Sequence, residues 1–362
     1  MKIKAYKGFD AKMQCREFQF EVGATYQHEG DLKLCKNGFH ACESPLDIWS
    51  YYPPVDGNLA AEIELGDVSD EKERDTKRVG KSITIKAMLS IADLVKAQIE
   101  FVSTSSGVNK SSGDSSKAAS SGYYSTAASS GDYSTAASSG YYSTAASSGD
   151  YSKAASSGYY STAASSGDYS KAASSGYYST AASSGDYSKA ASSGDSSTAA
   201  SSGDYSKAAS SGDSSTAASS GYSSTAASSG DYSKAASSGD SSTAASSGDY
   251  SKAASSGDSS TAASSGDSST AASSGYSSKA ASSGDYSTAA SSGDYSKASA
   301  DGEKSIAMVA GLNGMAKAGK YGAFALPWMD GKQVKIAVGI VGENVTADTW
   351  YRVTDGKLEV VE

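Results

Sequence analysis

The sequence has no run of eighteen apolar residues, and its three cysteines include no CxxC pair. The first absence leaves no candidate for a transmembrane helix. The second argues against a disulfide framework and fits reduced thiols. The opening MKIKAYKGF lacks the apolar segment of a secretory signal, so a soluble protein made in a cytoplasm is expected. GxSxG, P-loop, HExxH and dinucleotide fingerprints are all missing. The most consequential absence is internal. Almost all Leu, Ile, Val, Phe, Met and Trp lie before residue 103 or after residue 304, so the middle of the chain can bury only small side chains. A net charge of −9 argues against non-specific attraction to nucleic acid or to an anionic membrane.

What fills the middle is one phrase. Glycines recur every nine residues from Gly113 to Gly302, giving twenty-one copies of G-[DY]-[YS]-S-[TK]-A-A-S-S, of which only the last, from Gly293, departs from the Ala-Ala-Ser-Ser ending. Flexible linkers drift in register, whereas a fixed spacing implies that each copy stacks on another. In S-x-A, as in Ser125-Thr126-Ala127, residues two apart share one side of a strand. Ser and Ala can then face inward while Thr or Lys faces outward, with glycine and the Ser-Ser pair supplying the turn.

Nine residues are too few to close a coil with two sides, and eighteen suffice. The sequence supports eighteen independently: Lys153, Lys171, Lys189 and Lys207 are spaced by eighteen, and GYYS alternates with GDYS from Gly122 to Gly185. One side should carry Asp132, Asp150, Asp168 and Asp186 with Tyr133, Tyr151, Tyr169 and Tyr187. The other should carry the pairs Tyr123-Tyr124, Tyr141-Tyr142, Tyr159-Tyr160 and Tyr177-Tyr178. Near the middle, lysine and threonine exchange sides, at Lys234 and Lys252 against Thr225, Thr243 and Thr261. The expectation is a mainly β protein: a thin two-sided β-solenoid over 104–302, an α+β domain over 1–103, and a β-rich C-terminal cap over 303–362.

In the first segment KIKAYKGF, EFQFEV and AAEIELG read as strands, and Ser44-Pro45 with Asp47 reads as a helix start running toward Tyr52. Ser90-Ile-Ala-Asp93 reads as a second start. His28, Cys35, His40 and Cys42 are residue types that could hold a metal, but their spacing matches no strong signature. The plainer reading makes Cys35 and Cys42 small buried residues and GFHAC a core strand. No cofactor is expected. In the last segment, Ser305-Ile306-Ala307 continues the repeat grammar, and Asp330-Gly331 and Asp355-Gly356 read as hairpin turns in a cap with its own apolar core.

The S-x-A and glycine phrasing resembles the head repeats of trimeric autotransporter adhesins, whose units have seven residues and not nine. GYYSTAASSGDYS is similar to bacterial ice-nucleation repeats, without their Thr-x-Thr phrase. YKGFDAKMQCREFQFEVG, LCKNGFHACESPLDIWSYY and ADTWYRV resemble uncharacterised phage and prophage proteins that place a Ser/Ala repeat between two such end domains. That resemblance implies a viral or prophage origin, with residence in the host cytoplasm or on the virion, and supplies no established chemistry.

Regular columns of Asp, Lys, Tyr and Ser form a surface pattern and not a catalytic pocket, so catalysis, if present, belongs around His40, Tyr51 and Tyr52. For DNA mimicry, fifteen aspartates that follow a repeat glycine set against nine repeat lysines leave a net −6. Over a rod of ~50 Å that is about one charge per 8 Å, against one per ~1.7 Å in duplex DNA. Ice binding would need a flat threonine array such as Thr126 to Thr216. The expected function is a non-enzymatic phage-encoded binding protein that presents Tyr, Asp, Thr and Lys ladders to a host or phage protein, as in anti-defence inhibition. The alternatives are a virion fibre or adhesin component, a DNA mimic and an ice-binding protein. Nucleic-acid and membrane partners are not expected, and homo-oligomerisation is compatible with the repeat.

Overall fold

The computed structural model describes residues 2–70, 76–104 and 109–361. The protein is mainly β: a β-solenoid of about 12 turns at roughly 18 residues per turn, and a small β-rich N-terminal domain. The chain divides into two compact units, residues 1–190 and 191–362.

The first unit opens with β1 (Lys2–Phe9), β2 (Gln14–Cys15), β3 (Phe18–Gln19), β4 (Thr25–Gln27), β5 (Phe39–Cys42), β6 (Leu59–Val68) and β7 (Lys77–Met88). Five of these form an antiparallel sheet in the order β4-β7-β5-β1-β6. The twelve-residue β7 pairs with β5 through its first residues and with β6 through the rest, so the sheet closes on itself. Its interior holds Ala5, Phe9, Phe20, Ala61, Ile63, Leu65, Ile83 and Ile85.

The expected strands at KIKAYKGF, AAEIELG and GFHAC are present. EFQFEV yields only the two residues of β3, because Arg16 and Glu17 turn the chain at positive φ between β2 and β3. The start at Ser44-Pro45 gives only a 3₁₀ helix, Pro45–Ser50. Pro53 and Pro54 stop it from running on, and the Asp47 carboxylate accepts from the N–H and hydroxyl of Thr76 at 3.1 and 2.7 Å. Cys42 is buried as expected, but Cys35 is exposed, at φ +63° outside the sheet.

Helix α1 (Ile91–Thr104) begins with a reciprocal cap. Asp93 N–H donates to Ser90 Oγ at 3.2 Å, and Ser90 N–H donates to the Asp93 carboxylate at 3.0 Å. One flank of α1 meets the 3₁₀ helix, where Gln98 Oε1 accepts from Ser44 Oγ and from the N–H of Leu46. The other flank lies on solenoid strands, with Val102 packed on Ala128 and Ala146 beside Ile99 and Phe101.

Each solenoid coil has two walls. On one, Tyr124–Ser130, Tyr142–Ser148, Tyr160–Ser166 and Tyr178–Ser184 pair in parallel with residue i over i+18. On the other, Lys117–Ser121, Thr135–Ser139, Lys153–Ser157 and Lys171–Ser175 do the same. Between the walls lie alanine methyls and serine hydroxyls. Ser161 Oγ lies 2.7 Å from Ser174 Oγ and donates to the Ser175 carbonyl at 2.9 Å, while Ser174 Oγ donates to the Ser161 carbonyl at 3.0 Å. The same three contacts recur at Ser125 with Ser138 and at Ser143 with Ser156. A hydroxyl core costs nothing in unpaired polar groups when each donor is used this way.

The Ser-Ser pair therefore does not make the turn, contrary to expectation. Strands run through both serines, the first facing inward, and the turn is left to glycine and the one or two residues after it. Gly149 shows why glycine is needed. It sits at φ +110°, and a Cβ there would collide with the carbonyl of Gly131 one coil away.

Within the second unit the register on one wall runs Thr198, Thr216, Lys234, Lys252, Thr270, Thr288 and Ile306. On the other it runs Lys207, Thr225, Thr243, Thr261, Lys279, Lys297 and Met315, so lysine and threonine exchange walls as the spacing predicts. The hairpins Ala323–Asp330 with Gln333–Ile340 and Tyr351–Thr354 with Lys357–Val360 finish the two walls. Phe324, Leu326, Val345 and Tyr351 fill the cap, with Phe324 stacked on Tyr351 at 5.4 Å. Asp355 and Gly356 both take positive φ as a two-residue turn demands. The other loop is shifted by one: Asp330 pairs with Gln333, leaving Gly331-Lys332 as the turn.

Candidate functional site

Two kinds of turn follow from two phrases. In the GDYS copies of the first unit, Tyr133, Tyr151, Tyr169 and Tyr187 adopt left-handed φ between +57° and +59°, a conformation that costs a tyrosine roughly 1–2 kcal/mol. Contacts between coils offset that cost. Tyr133 N–H donates to the Asp150 carbonyl at 2.8 Å, and Tyr151 N–H to that of Asp168 at 2.8 Å. The aspartate side chains add a ladder, in which Asp132, Asp150 and Asp168 accept through Oδ1 from the N–H of Asp150, Asp168 and Asp186 at 3.1, 2.9 and 3.0 Å. The aspartate column thus stitches successive turns together, and one oxygen of each of these three carboxylates is already used.

In the GYYS copies the second tyrosine belongs to the strand, so both rings project from the opposite edge of the coil. Tyr123, Tyr141, Tyr159 and Tyr177 stack at 5.1 Å with planes within 3°. Tyr124, Tyr142, Tyr160 and Tyr178 stack at 4.9–5.0 Å with planes within 8°. The spacing is that of neighbouring strands, which holds each ring at contact distance from the next. Within a pair the rings stand edge to face, 65° apart at Tyr159 and Tyr160. Eight rings thereby form a surface two rings wide. Tyr141, Tyr159 and Tyr177 remain 37–40% exposed despite the stacking, so the ladder presents ring edges to solvent while neighbours one coil away cover the faces. Partial desolvation, followed by repulsion from neighbouring phenolates, raises the Tyr159 pKa above that of a free tyrosine.

The threonine column is less available. Thr126, Thr144, Thr162 and Thr180 share an outer face with Ala128, Ala146, Ala164 and Ala182, and these alanines are buried where α1 crosses their strands. Their counterparts on the other wall, Ala155 and Ala173, are exposed. A flat ice-binding array is therefore not open along this stretch.

The N-terminal domain carries the remaining candidates. His40 Nε2 accepts the N–H of Cys35 at 2.8 Å, and the imidazole is also bonded to the backbone at Gly38. The imidazole therefore braces the 35–40 loop. Burial, followed by the charges of Lys7 and Lys77, lowers the His40 pKa. His28 packs edge-on against Phe39 at 6.4 Å. Among the described residues, no group of three His, Cys, Asp or Glu is placed to hold a metal ion, and His28, Cys35, His40 and Cys42 do not converge on one.

Lys7 belongs to no motif in the sequence. Its ammonium is buried, donates to the His40 carbonyl at 3.0 Å, lies 3.6 Å from Cys15 Sγ, and stands 5.7 and 5.5 Å from the ring centroids of Phe9 and Phe20. Burial lowers its pKa. Burial also raises the pKa of Tyr52, with its bond to Cys15 adding to the effect. Tyr51 accepts from Lys77 Nζ at 2.9 Å.

Residues 3–97 match a domain of unknown function, DUF7666. The match covers the N-terminal domain and the first part of α1, and stops short of the solenoid. No curated protein and no solved structure matches the chain.

Proposed function

We propose that the chain is a non-enzymatic binding protein whose paired-tyrosine edge docks on a host protein. The observation that carries this reading is the eight-ring ladder from Tyr123 to Tyr178, stacked and solvent-facing. Tyrosine offers large contact area and a polar tip at low entropic cost. Stacking on neighbours one coil away fixes the rings before a partner arrives, which removes part of the ordering cost of association. Tyr133 and Tyr151 form a single column on the opposite edge. Asp132, Asp150 and Asp168 beside it serve chiefly to hold the turns, which weakens a DNA-mimic reading. His40 supports the non-enzymatic reading, since its Nε2 is taken by the backbone N–H of Cys35.

Affinity purification of the tagged chain from infected host cells tests the proposal. One stoichiometric host protein is the expected result. Recovery of the chain only within purified virions would favour the fibre reading instead.

A further inference from the structure

Through the repeats of the second unit, the outward positions of each wall are Thr or Lys, Ala and Ser. At the end of one wall this pattern inverts. Strand Ile306–Val309 turns Ile306 and Met308 outward, at 48% and 46% exposure. Ile306 pairs with Ala323 and Met308 with Ala325, so these residues share a face. The partners of Ala323, Ala325, Pro327 and Met329 across the final hairpin are Ile340, Val338, Ile336 and Val334.

These ten residues on three adjacent strands form one outward face without a charge. Seven of them, Ile306, Met308, Met329, Val334, Ile336, Val338 and Ile340, are exposed large aliphatic side chains. The alternating partners Phe324, Leu326 and Gly339 fill the interior, so the outward set is additional to the cap's core. The other wall ends differently, with Lys317, Arg352 and Glu359 outside.

Scaled by their exposed shares, the seven residues present roughly 700 Å², at or above the 300–600 Å² of the largest patch on an ordinary monomer. That is close to the ~800 Å² that each partner contributes to a standard interface. An uncharged face is also matched by its own copy without like-charge repulsion, although the chain carries −9. The edge of Gln333–Ile340 is partly closed. Asn344 donates to the Val338 carbonyl at 2.9 Å and accepts from the Ile340 N–H at 2.7 Å, which obstructs strand addition at that end.

We infer that a second copy of this chain covers this face, the two sheets packing face to face about a two-fold axis, with Ile336 and Val338 in the contact.

Sedimentation equilibrium of the full chain at micromolar concentration tests the inference, with far-UV circular dichroism to confirm the fold. The wild type is expected at twice the chain mass. Val334→Thr with Val338→Thr keeps the β-branched shape and should weaken the dimer at least tenfold. Ile336→Asp should give monomer, and Arg352→Ala on the other wall should leave the dimer intact. A monomeric wild type that binds lipid vesicles or stays alone overturns the inference. So does an oligomer of another size, or a dimer that the first two variants leave unchanged while folded.

Discussion

The ring of Tyr133 stacks on that of Tyr151, 5.0 Å away with planes 5° apart, and not on Tyr142, which is nine residues along the chain. This places one full coil between residues eighteen apart and puts consecutive nonapeptides on opposite walls. The two tyrosine edges, the aspartate ladder and the inward serines all follow from that register.

Gly113 and Gly149 sit at nearly the same φ, +109° and +110°, but only Gly149 has another glycine's carbonyl where a Cβ would go. Gly149→Ala should therefore be the more damaging change, by about 1–3 kcal/mol, the cost of overpacking a close contact. Hydrogen exchange of amides in the affected coils measures the difference. Equal effects would show that backbone strain, and not coil stacking, requires the glycine.

Asp150 accepts the Asp168 N–H through Oδ1 at 2.9 Å. Asp150→Ala should destabilise its turn by about 1 kcal/mol, whereas Asp150→Asn keeps the acceptor and should be nearly neutral. Local exchange protection reads both. A large loss with Asn would assign the stabilisation to charge and contradict the ladder.

The raised pKa of Tyr159 fixes the sign of an alkaline effect. Folding favours the neutral phenol, so the stabilisation is complete below the unfolded tyrosine value of ~10. It is lost as pH rises through the higher folded value. Near-UV phenolate absorbance should show Tyr159 ionising after the free amino acid, and Tyr159→Phe should remove that contribution.

The Ser90 and Asp93 cap gives an acid-side counterpart. Bonds from Ser90 hold the Asp93 carboxyl below its ordinary value, so its stabilisation is present above the unfolded pKa of ~3.9 and lost as pH falls through the folded one. Ser90→Ala should cost roughly 1 kcal/mol, read as increased exchange along the first turn of α1.

The coil length was legible because Lys153, Lys171 and Lys189 keep one spacing while their neighbours alternate. The turn was not, since Ser138 and Ser139 have turn propensity but lie in a strand whose inward serine is bonded across the coil to Ser125. Long-range pairing overrode local preference there. Burial of Ala128 and Ala146 was invisible because both walls read Ala-Ala-Ser-Ser, and only the docking of α1 separates them. In the cap, Val334 and Ile336 have the alternation of a core strand, yet the face they occupy is the outer one. Periodicity identifies a face without saying which side of the sheet it lies on. At the proposed site, the tyrosine columns could be read from spacing, whereas the structural use of Asp132 and Asp150 required coordinates.

The most direct measurement is partner capture by the wild type, by Tyr141→Ser with Tyr159→Ser, and by Asp150→Asn, each purified from infected cells with its fold confirmed. The wild type and Asp150→Asn should retain the same stoichiometric protein, and the double tyrosine variant should bind it at least about thirtyfold more weakly. Equal capture by the tyrosine variant, or no partner for the folded wild type, would contradict the assignment of the ladder as the binding surface.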